Sequence, residues 1–195
     1  SEFAREAKIV QIDIDQTELE KTKSMVDISF NCDAGDFITK LVSYLEQQKI
    51  SITQPDKWYE TCNGYRNRYP FIGPEHEDKN GFINSYKFMD QISNYLKKDQ
   101  IVVTDMGTGL LSGHQALRIK QGQRLMTSTG LGEMGYGLPG AIGASFARNK
   151  GEVLCLNCDG GMMMNLQEIQ TLVHHQLPIK LFIFNNDGYL MIKHT

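Results

Sequence analysis

The chain has 195 residues and a formal net charge of −3, from 20 Lys and Arg against 23 Asp and Glu. Its 41% hydrophobic and 22% charged residues are a globular balance that excludes a disordered tail, a collagen or a coiled coil. There is no basic excess for nucleic acid, no apolar run of the ~18 residues that suggest a membrane span, no signal-peptide pattern, and no cysteine density for a disulfide framework, so a cytoplasmic protein with neither nucleic acid nor membrane as partner is expected.

Lys8 to Asp15 alternates into a strand with acidic residues at its end. Gln16 to Ser24 is polar and fits a turn or short helix, and Val26 to Phe30 alternates again. From Asp33 to Gln48, Phe37, Leu41, Tyr44 and Leu45 recur at helical spacing, with Asp33 placed as the cap. Strand, connection, strand, helix is the closing part of an α/β domain, and residues 1–48 are too few to bury a sufficient core alone. The chain is therefore expected to be a fragment. Residues 49–82 form a connector containing Pro55, Pro70 and Pro74, with a short helix around Trp58, Tyr65 and Tyr69 packing on a neighbour.

From residue 83 an α/β rhythm begins. Tyr86 to Lys98 is a helix with Phe88, Met89, Ile92, Tyr95 and Leu96 on one face. Ile101 to Asp105 is a buried strand, and Gly107 to Ile119 opens on glycine and turns amphipathic. Arg124 to Thr127 is a short strand, and Gly130 to Arg148 is glycine-rich, then small and apolar. Val153 to Asn157 is a strand, Asn165 to His175 a helix, and Ile179 to Phe184 a strand. Apolar strand runs alternating with helices predict a parallel sheet covered on both faces. Ligands in such folds lie beyond the carboxyl ends of the strands, so the loops after Asp105, Asn157 and Phe184 are where chemistry is expected.

The loop after Asn157 reads Cys158-Asp159-Gly160-Gly161. A carboxylate followed by unobstructed glycine N–H groups suits a hard cation and an anion together. The alternative is a tight strand–helix turn capped by Asp159. The loop after Phe184 reads Asn185-Asn186-Asp187-Gly188, oxygen donors suited to Mg²⁺ or Ca²⁺ or, alone, an Asn-rich turn. One helix and one strand separate the two loops, so they emerge as neighbours. Two oxygen-donor loops at adjacent strand ends are harder to explain as turns than either is singly.

Asp159-Gly160, 24 residues (161–184), then Asn185-Asn186 resembles the thiamine diphosphate motif, Gly-Asp-Gly with a spacer and then Asn-Asn. Thr127 to Ala144 (TSTGLGEMGYGLPGAIGA) resembles the segment that acetolactate synthase and its relatives set against the cofactor, and Met163 to Glu168 and Leu177 to Lys180 fit the same family. The resemblance covers 83–195 and extends back through Trp58, Tyr69-Pro70 and Ala7 to Asp15, the late part of the family's middle domain. It implies a thiamine diphosphate-binding fold over 83–195, cut short at its C-terminus, preceded by the end of a second α/β domain.

By position, the resemblance implies that Asp159, Asn186 and the Gly188 carbonyl hold Mg²⁺, and that Gly160 and Gly161 donate to the diphosphate, with Gly107 and Thr108 on its other side. Gly132 and Met134 would contact the aminopyrimidine ring, with Glu133 between them also among the cofactor-binding residues. Met134 would hold the cofactor bent, so that its 4′-imino nitrogen takes the thiazolium C2 proton. The implied activity is decarboxylation or carboligation of 2-oxo acids in a homodimer or homotetramer. In the family the activating glutamate sits on a pyrimidine-binding domain of another subunit, and neither Glu133 nor Glu168 is that residue, so the fragment alone is expected to be inactive.

This chain departs from the family in three places. Cys158 replaces the motif's first glycine, the loop after Asp105 reads Gly107-Thr108-Gly109-Leu110-Leu111 where the synthases usually have Gln and His, and residues 187–195 differ where the substrate pocket begins. Two further readings compete. One is a non-catalytic cofactor-binding homologue. The other is a nicotinamide dinucleotide site at Gly130-x-Gly132-x-x-Gly135, with Glu152 as the ribose-binding acid. Cys155-x-x-Cys158 has zinc spacing without a second pair. Met162 to Met164 are expected as core filler, His174-His175 as a helix end favoured by the dipole, and Lys193 and His194 lie near the expected substrate pocket.

Overall fold

The computed structural model describes residues 3–53 and 55–193, which divide into two compact units at Asn63 and Gly64. Among the described residues no helix is long and apolar enough to cross a membrane.

In the first unit β1 (Val10–Asp13) and β2 (Ile28–Asn31) pair in parallel, Val10 opposite Ile28. Between them run α1 (Gln16–Thr22) and a 3₁₀ turn, Lys23–Met25. The Asp15 carboxylate starts α1 by accepting from Thr17 N at 2.8 Å. Asp33 caps α2 (Ala34–Gln47), accepting from Gly35 N at 2.7 Å and Asp36 N at 3.1 Å. Leu19 is the one buried residue among those described in this unit. The expected apolar face of α2 is largely open, with Leu41 and Tyr44 exposed and Phe37 resting on Phe30 at 5.1 Å between ring centroids. Helix α3 (Asp56–Arg68) carries the boundary between the units, and Trp58, Tyr65 and Tyr69 on it or at its end are exposed.

The second unit holds α4 (Ser85–Ile92), β3 (Ile101–Thr104), α5 (Thr108–Ala116), β4 (Arg124–Met126), α6 (Gly137–Ala147) and β5 (Val153–Cys158). Then follow α7 (Asp159–Met162), α8 (Glu168–His174), β6 (Ile179–Phe184) and α9 (Leu190–Lys193). The sheet is parallel throughout, in the order β4-β3-β5-β6. Alternation along the strands sorts their side chains onto two faces. Val102, Leu154 and Leu156 pack with Met89 of α4 and Ala116 of α5. Val103, Val153 and Cys155 pack with Ala141 and Ala144 of α6. All six residues of β5 are buried, as a central strand covered on both faces requires.

Some element ends differ from the sequence expectation. The helix expected to reach Lys98 stops at Ile92. There Ser93 Oγ donates to Met89 O at 2.6 Å and accepts from Arg118 N at 2.9 Å, a tertiary bond invisible to periodicity. Tyr95 is consequently exposed rather than on the core face. The helix expected from Asn165 starts at Glu168, because the Asn165 amide is engaged with Gly135 O at 2.7 Å. Of the three methionines expected as core filler, Met162 is buried but Met163 and Met164 are exposed.

Candidate functional site

Adjacent strands β3, β5 and β6 deliver their following loops to one end of the sheet. The cleft there is lined by Gly107 and Thr108 from the first loop, Gly160 and Gly161 from the second, Asn186 and Gly188 from the third, and Met134 from the segment before α6. Met106, Cys158 and residues 189–192 complete its walls, which are mostly apolar.

Asp159 begins α7. Its Oδ1 accepts from Gly160 N at 2.9 Å and its Oδ2 from Gly188 N at 2.8 Å, so the carboxylate joins the second loop to the third. Gly188 adopts φ +123°, and Asp187 before it φ +60°. This sharp reversal, which glycine makes at little cost, turns the third loop back over Asp159. Asn186 Nδ2 donates to Thr108 Oγ1 at 3.3 Å, joining the third loop to the first. That bond fixes the amide's orientation and leaves Asn186 Oδ1 buried with no partner among the described residues. A buried amide oxygen without a donor is costly in a folded protein and normally has an explanation. With the Asp159 carboxylate on the same loop network, the donor set is hard oxygen, which fits Mg²⁺.

The glycines of the second loop are bare for steric reasons. A side chain on Gly160 would stand 2.6 Å from the Tyr189 ring, and one on Gly161 would stand 1.5 Å from Asp105 Oδ2. The floor of the cleft is therefore backbone, as close approach of a phosphate requires. Met134 is half-exposed and faces the cleft. Gly132 (φ +73°) bends the loop just before it, beside Met106. Glu133, between them, turns away from the cleft and accepts from the Ser128 hydroxyl. That hydrogen bond, followed by one from its own backbone, holds the Glu133 carboxyl below the usual glutamate range.

Other candidates lie elsewhere. Glu152 sits at the opposite end of the sheet, paired with Lys97 at 2.9 Å and Lys180 at 3.1 Å, where it cannot reach a ribose at the carboxyl ends of the strands. Residues 127–136 form a long loop between β4 and α6 in place of the tight glycine turn of a dinucleotide fold. Cys155 and Cys158 are both buried, and no cluster of metal-binding side chains other than the oxygen donors above accompanies them among the described residues. Burial, reinforced by the Asp105 carboxylate, pushes the Cys155 thiol up to about 12. Cys158 Sγ accepts from Gly109 N at 3.4 Å, and burial first of all raises its pKa, so it acts here as a small neutral side chain. His174 and His175 end α8, the latter edge-on to Phe146 at 5.1 Å. Glu168 Oε2 accepts from Thr171 Oγ1 at 2.9 Å, a local helix-start bond. Lys193 Nζ donates to Asp187 O at 3.0 Å, bracing the third loop, while His194 lies outside the described residues.

Two residues of the site had no role of their own in the sequence reading. Tyr189 covers Gly160, and its only cue is its place after the Gly188 reversal. Asp105 is fully buried, with Oδ1 accepting from Gly135 N at 2.8 Å and Gly137 N at 3.3 Å. Burial raises its pKa, against the nearby backbone N–H groups of Gly137, Met106, Gly135 and Tyr136, which lower it. The sequence marks Asp105 only as a strand end.

Residues 105–195 match the family model described as the thiamine pyrophosphate enzyme, C-terminal TPP binding domain. The chain is 31% identical over 187 residues to the acetolactate synthase isozyme 1 large subunit of Escherichia coli (strain K12), covering 96% of this chain and 32% of that protein. It is 33% identical over 193 residues to the acetolactate synthase large subunit of Porphyra purpurea, covering 98% and 32%. To the acetolactate synthase of Mycobacterium bovis it is 29% identical over 193 residues, covering 98% and 31%. The chain thus spans about a third of the length of the curated relatives it matches. Parallel strands, a cleft at their carboxyl ends and these matches agree: over residues 105–195 the chain is similar to the C-terminal cofactor-binding domain of thiamine pyrophosphate enzymes, and nearly throughout to part of the acetolactate synthase large subunits.

Proposed function

We propose that the intact protein is a thiamine diphosphate- and Mg²⁺-dependent enzyme acting on 2-oxo acids, by decarboxylation, carboligation or both. The observation that carries this reading is the buried Asn186 Oδ1, without a partner among the described residues, in a loop tied to the Asp159 carboxylate. Asp159, Asn186 and the Gly188 carbonyl would hold the cation, and Gly160 and Gly161 would lie against the diphosphate, with Gly107 and Thr108 opposite. When bound, the cofactor supplies a carbon nucleophile and an electron sink for decarboxylation.

The chain's own residues bind, orient and exclude water. Met134 would stand against the bent cofactor and fix the approach of its two rings. Met106, Met134, Leu190 and Met191 make the apolar walls that keep water from the reacting atoms. Thr108 holds the Asn186 amide so that oxygen, not nitrogen, faces a cation. The activating glutamate would come from a pyrimidine-binding domain of a second subunit, in a homodimer or homotetramer.

Calorimetric titration of the intact protein with thiamine diphosphate and Mg²⁺, repeated with EDTA, tests the site. Binding that survives chelation or Asp159→Ala undiminished overturns it. Absence of Gln and His from the loop Gly107 to Leu111 favours a second reading, a homologue that binds cofactor without turnover. Release of CO₂ from a panel of 2-oxo acids separates the two, since that homologue would bind and release none.

A further inference from the structure

We propose that Asp105 is a positioning residue that locks the loop 127–136, on the aminopyrimidine side of the cleft, to the diphosphate corner at Gly161. The assignment of ligand groups to the two sides rests on the cofactor reading above; the lock itself does not.

Asp105 is anchored to the centre of the sheet, its backbone N–H donating to Leu156 O at 2.9 Å. Its side chain then reaches two loops at once. Oδ1 accepts from Gly135 N and Gly137 N, at the start of α6, where Tyr136 at the cap position makes no side-chain capping bond. Asp105, just past the end of β3, thus caps α6 from outside the helix, and its charge lies at the positive end of the helix. Oδ2 has no partner among the described residues and fills the place that a side chain on Gly161 would take. A side chain on Gly137 would likewise stand 2.8 Å from Asp105 Cβ. Gly135 is held from its other side as well, its carbonyl accepting from Asn165 Nδ2 at 2.7 Å.

Gly135 is the residue after Met134, and Gly161 follows Gly160, so one fully buried carboxylate sets the distance between the two halves of the cleft. Burial of a carboxylate with no cation beside it is unfavourable unless its hydrogen bonds compensate. A cap alone would need only Oδ1. The close fit of Oδ2 against Gly161 is what couples the second loop, and a small change in that spacing would misfit a molecule held at both ends while sparing one held at a single end.

The test compares Asp105→Asn and Asp105→Ala with the unmutated intact protein. Amide hydrogen exchange, without ligand, should be at least about tenfold faster at Gly135 and Gly137 in both variants relative to Leu156, which reads local opening of that loop. Affinity for thiamine diphosphate with Mg²⁺ should fall at least about tenfold, while affinity for inorganic pyrophosphate with Mg²⁺ stays within about twofold. Asn keeps the size of Asp, so it carries the test if the Ala variant fails to fold. Unchanged exchange, or equal loss for both ligands, overturns the proposal, the latter being the mark of general destabilisation. If the unmutated protein binds neither ligand yet the exchange responds, the cofactor assignment falls and the lock stands.

Discussion

Asn186 and Thr108 are 78 positions apart in the chain, yet the Asn186 amide nitrogen donates to the Thr108 hydroxyl at 3.3 Å. The bond spends the donor half of the amide and leaves the acceptor half for something else. Thr108→Val keeps the shape and removes the acceptor. Cofactor affinity in the presence of Mg²⁺ should then fall by ~10-fold, the low end for loss of an outer-shell partner, and Asn186→Ala or Asp159→Ala should each lose more than ~100-fold. Titration calorimetry of the three variants checks the order. Equal losses for Thr108→Val and Asn186→Ala would mean that the amide oxygen holds no cation.

Met134 projects into the cleft without a polar role. If it shapes the bound cofactor, Met134→Ala should leave the affinity nearly intact but slow deuterium exchange at the cofactor's C2 by ~100-fold, since small errors in reacting geometry are costly. NMR of quenched samples reads that exchange. Equal rates in variant and parent would reduce Met134 to packing.

The glycines separate by what surrounds them. Gly161→Ala would drive its methyl against Asp105, and Gly160→Ala against the Tyr189 ring. Overfilling of this kind costs ~1–3 kcal/mol, with Gly161→Ala at or beyond the upper end because its neighbour is fixed by hydrogen bonds. Gly143, inside α6, has nothing within 4 Å of its missing side chain. There, Gly143→Ala should stabilise by ~0.5–1 kcal/mol through helix propensity. Urea unfolding of the three variants gives the ranking, and destabilisation by Gly143→Ala would contradict the packing described for α6.

Cys155 gives a pH dependence of definite sign. Its thiol ionises near 9.0 when unfolded and is pushed up to about 12 by burial in β5. The raised pKa contributes stability that is complete below 9 and is lost as pH climbs toward 12, because only the unfolded chain releases the proton in that window. The loss should approach ~1.4 kcal/mol per pH unit. Urea unfolding at pH 7, 9 and 10 should show the decline, and Cys155→Ala should flatten that part of it. An identical slope in the variant would place the titrating group elsewhere.

Much of the fold was legible because its signals are local. The apolar runs at Ile101, Val153 and Ile179 read as strands since a covered parallel strand needs apolar side chains on both faces. Asp33 before an amphipathic run read as a cap. The candidate ligands Asp159 and Asn186 were legible from strand–loop spacing and from the family motif. What escaped depends on distant partners. The Asp105 carboxylate is explained only by Gly135 and Gly137, 30 and 32 residues later. The end of α4 is set by the Arg118 amide, 25 residues past Ser93. Met163 and Met164 look like core by composition, but Asn165 bonds to Gly135 and the turn carries them outward.

The order β4-β3-β5-β6 also dictates when a cleft can exist during synthesis of the chain. Its loops follow β3, β5 and β6, and each parallel pairing must close a long crossover before its contacts repay the lost entropy. A nascent chain halted before Ile179 has the Asp159 carboxylate but neither Gly188 to donate to it nor Asn186 beside Thr108. On the proposed reading, the capacity to capture a cation would therefore be acquired in one step, when β6 docks on β5. Until then the strand edge of β5 is the exposed surface that a growing chain must protect from its neighbours on a polysome.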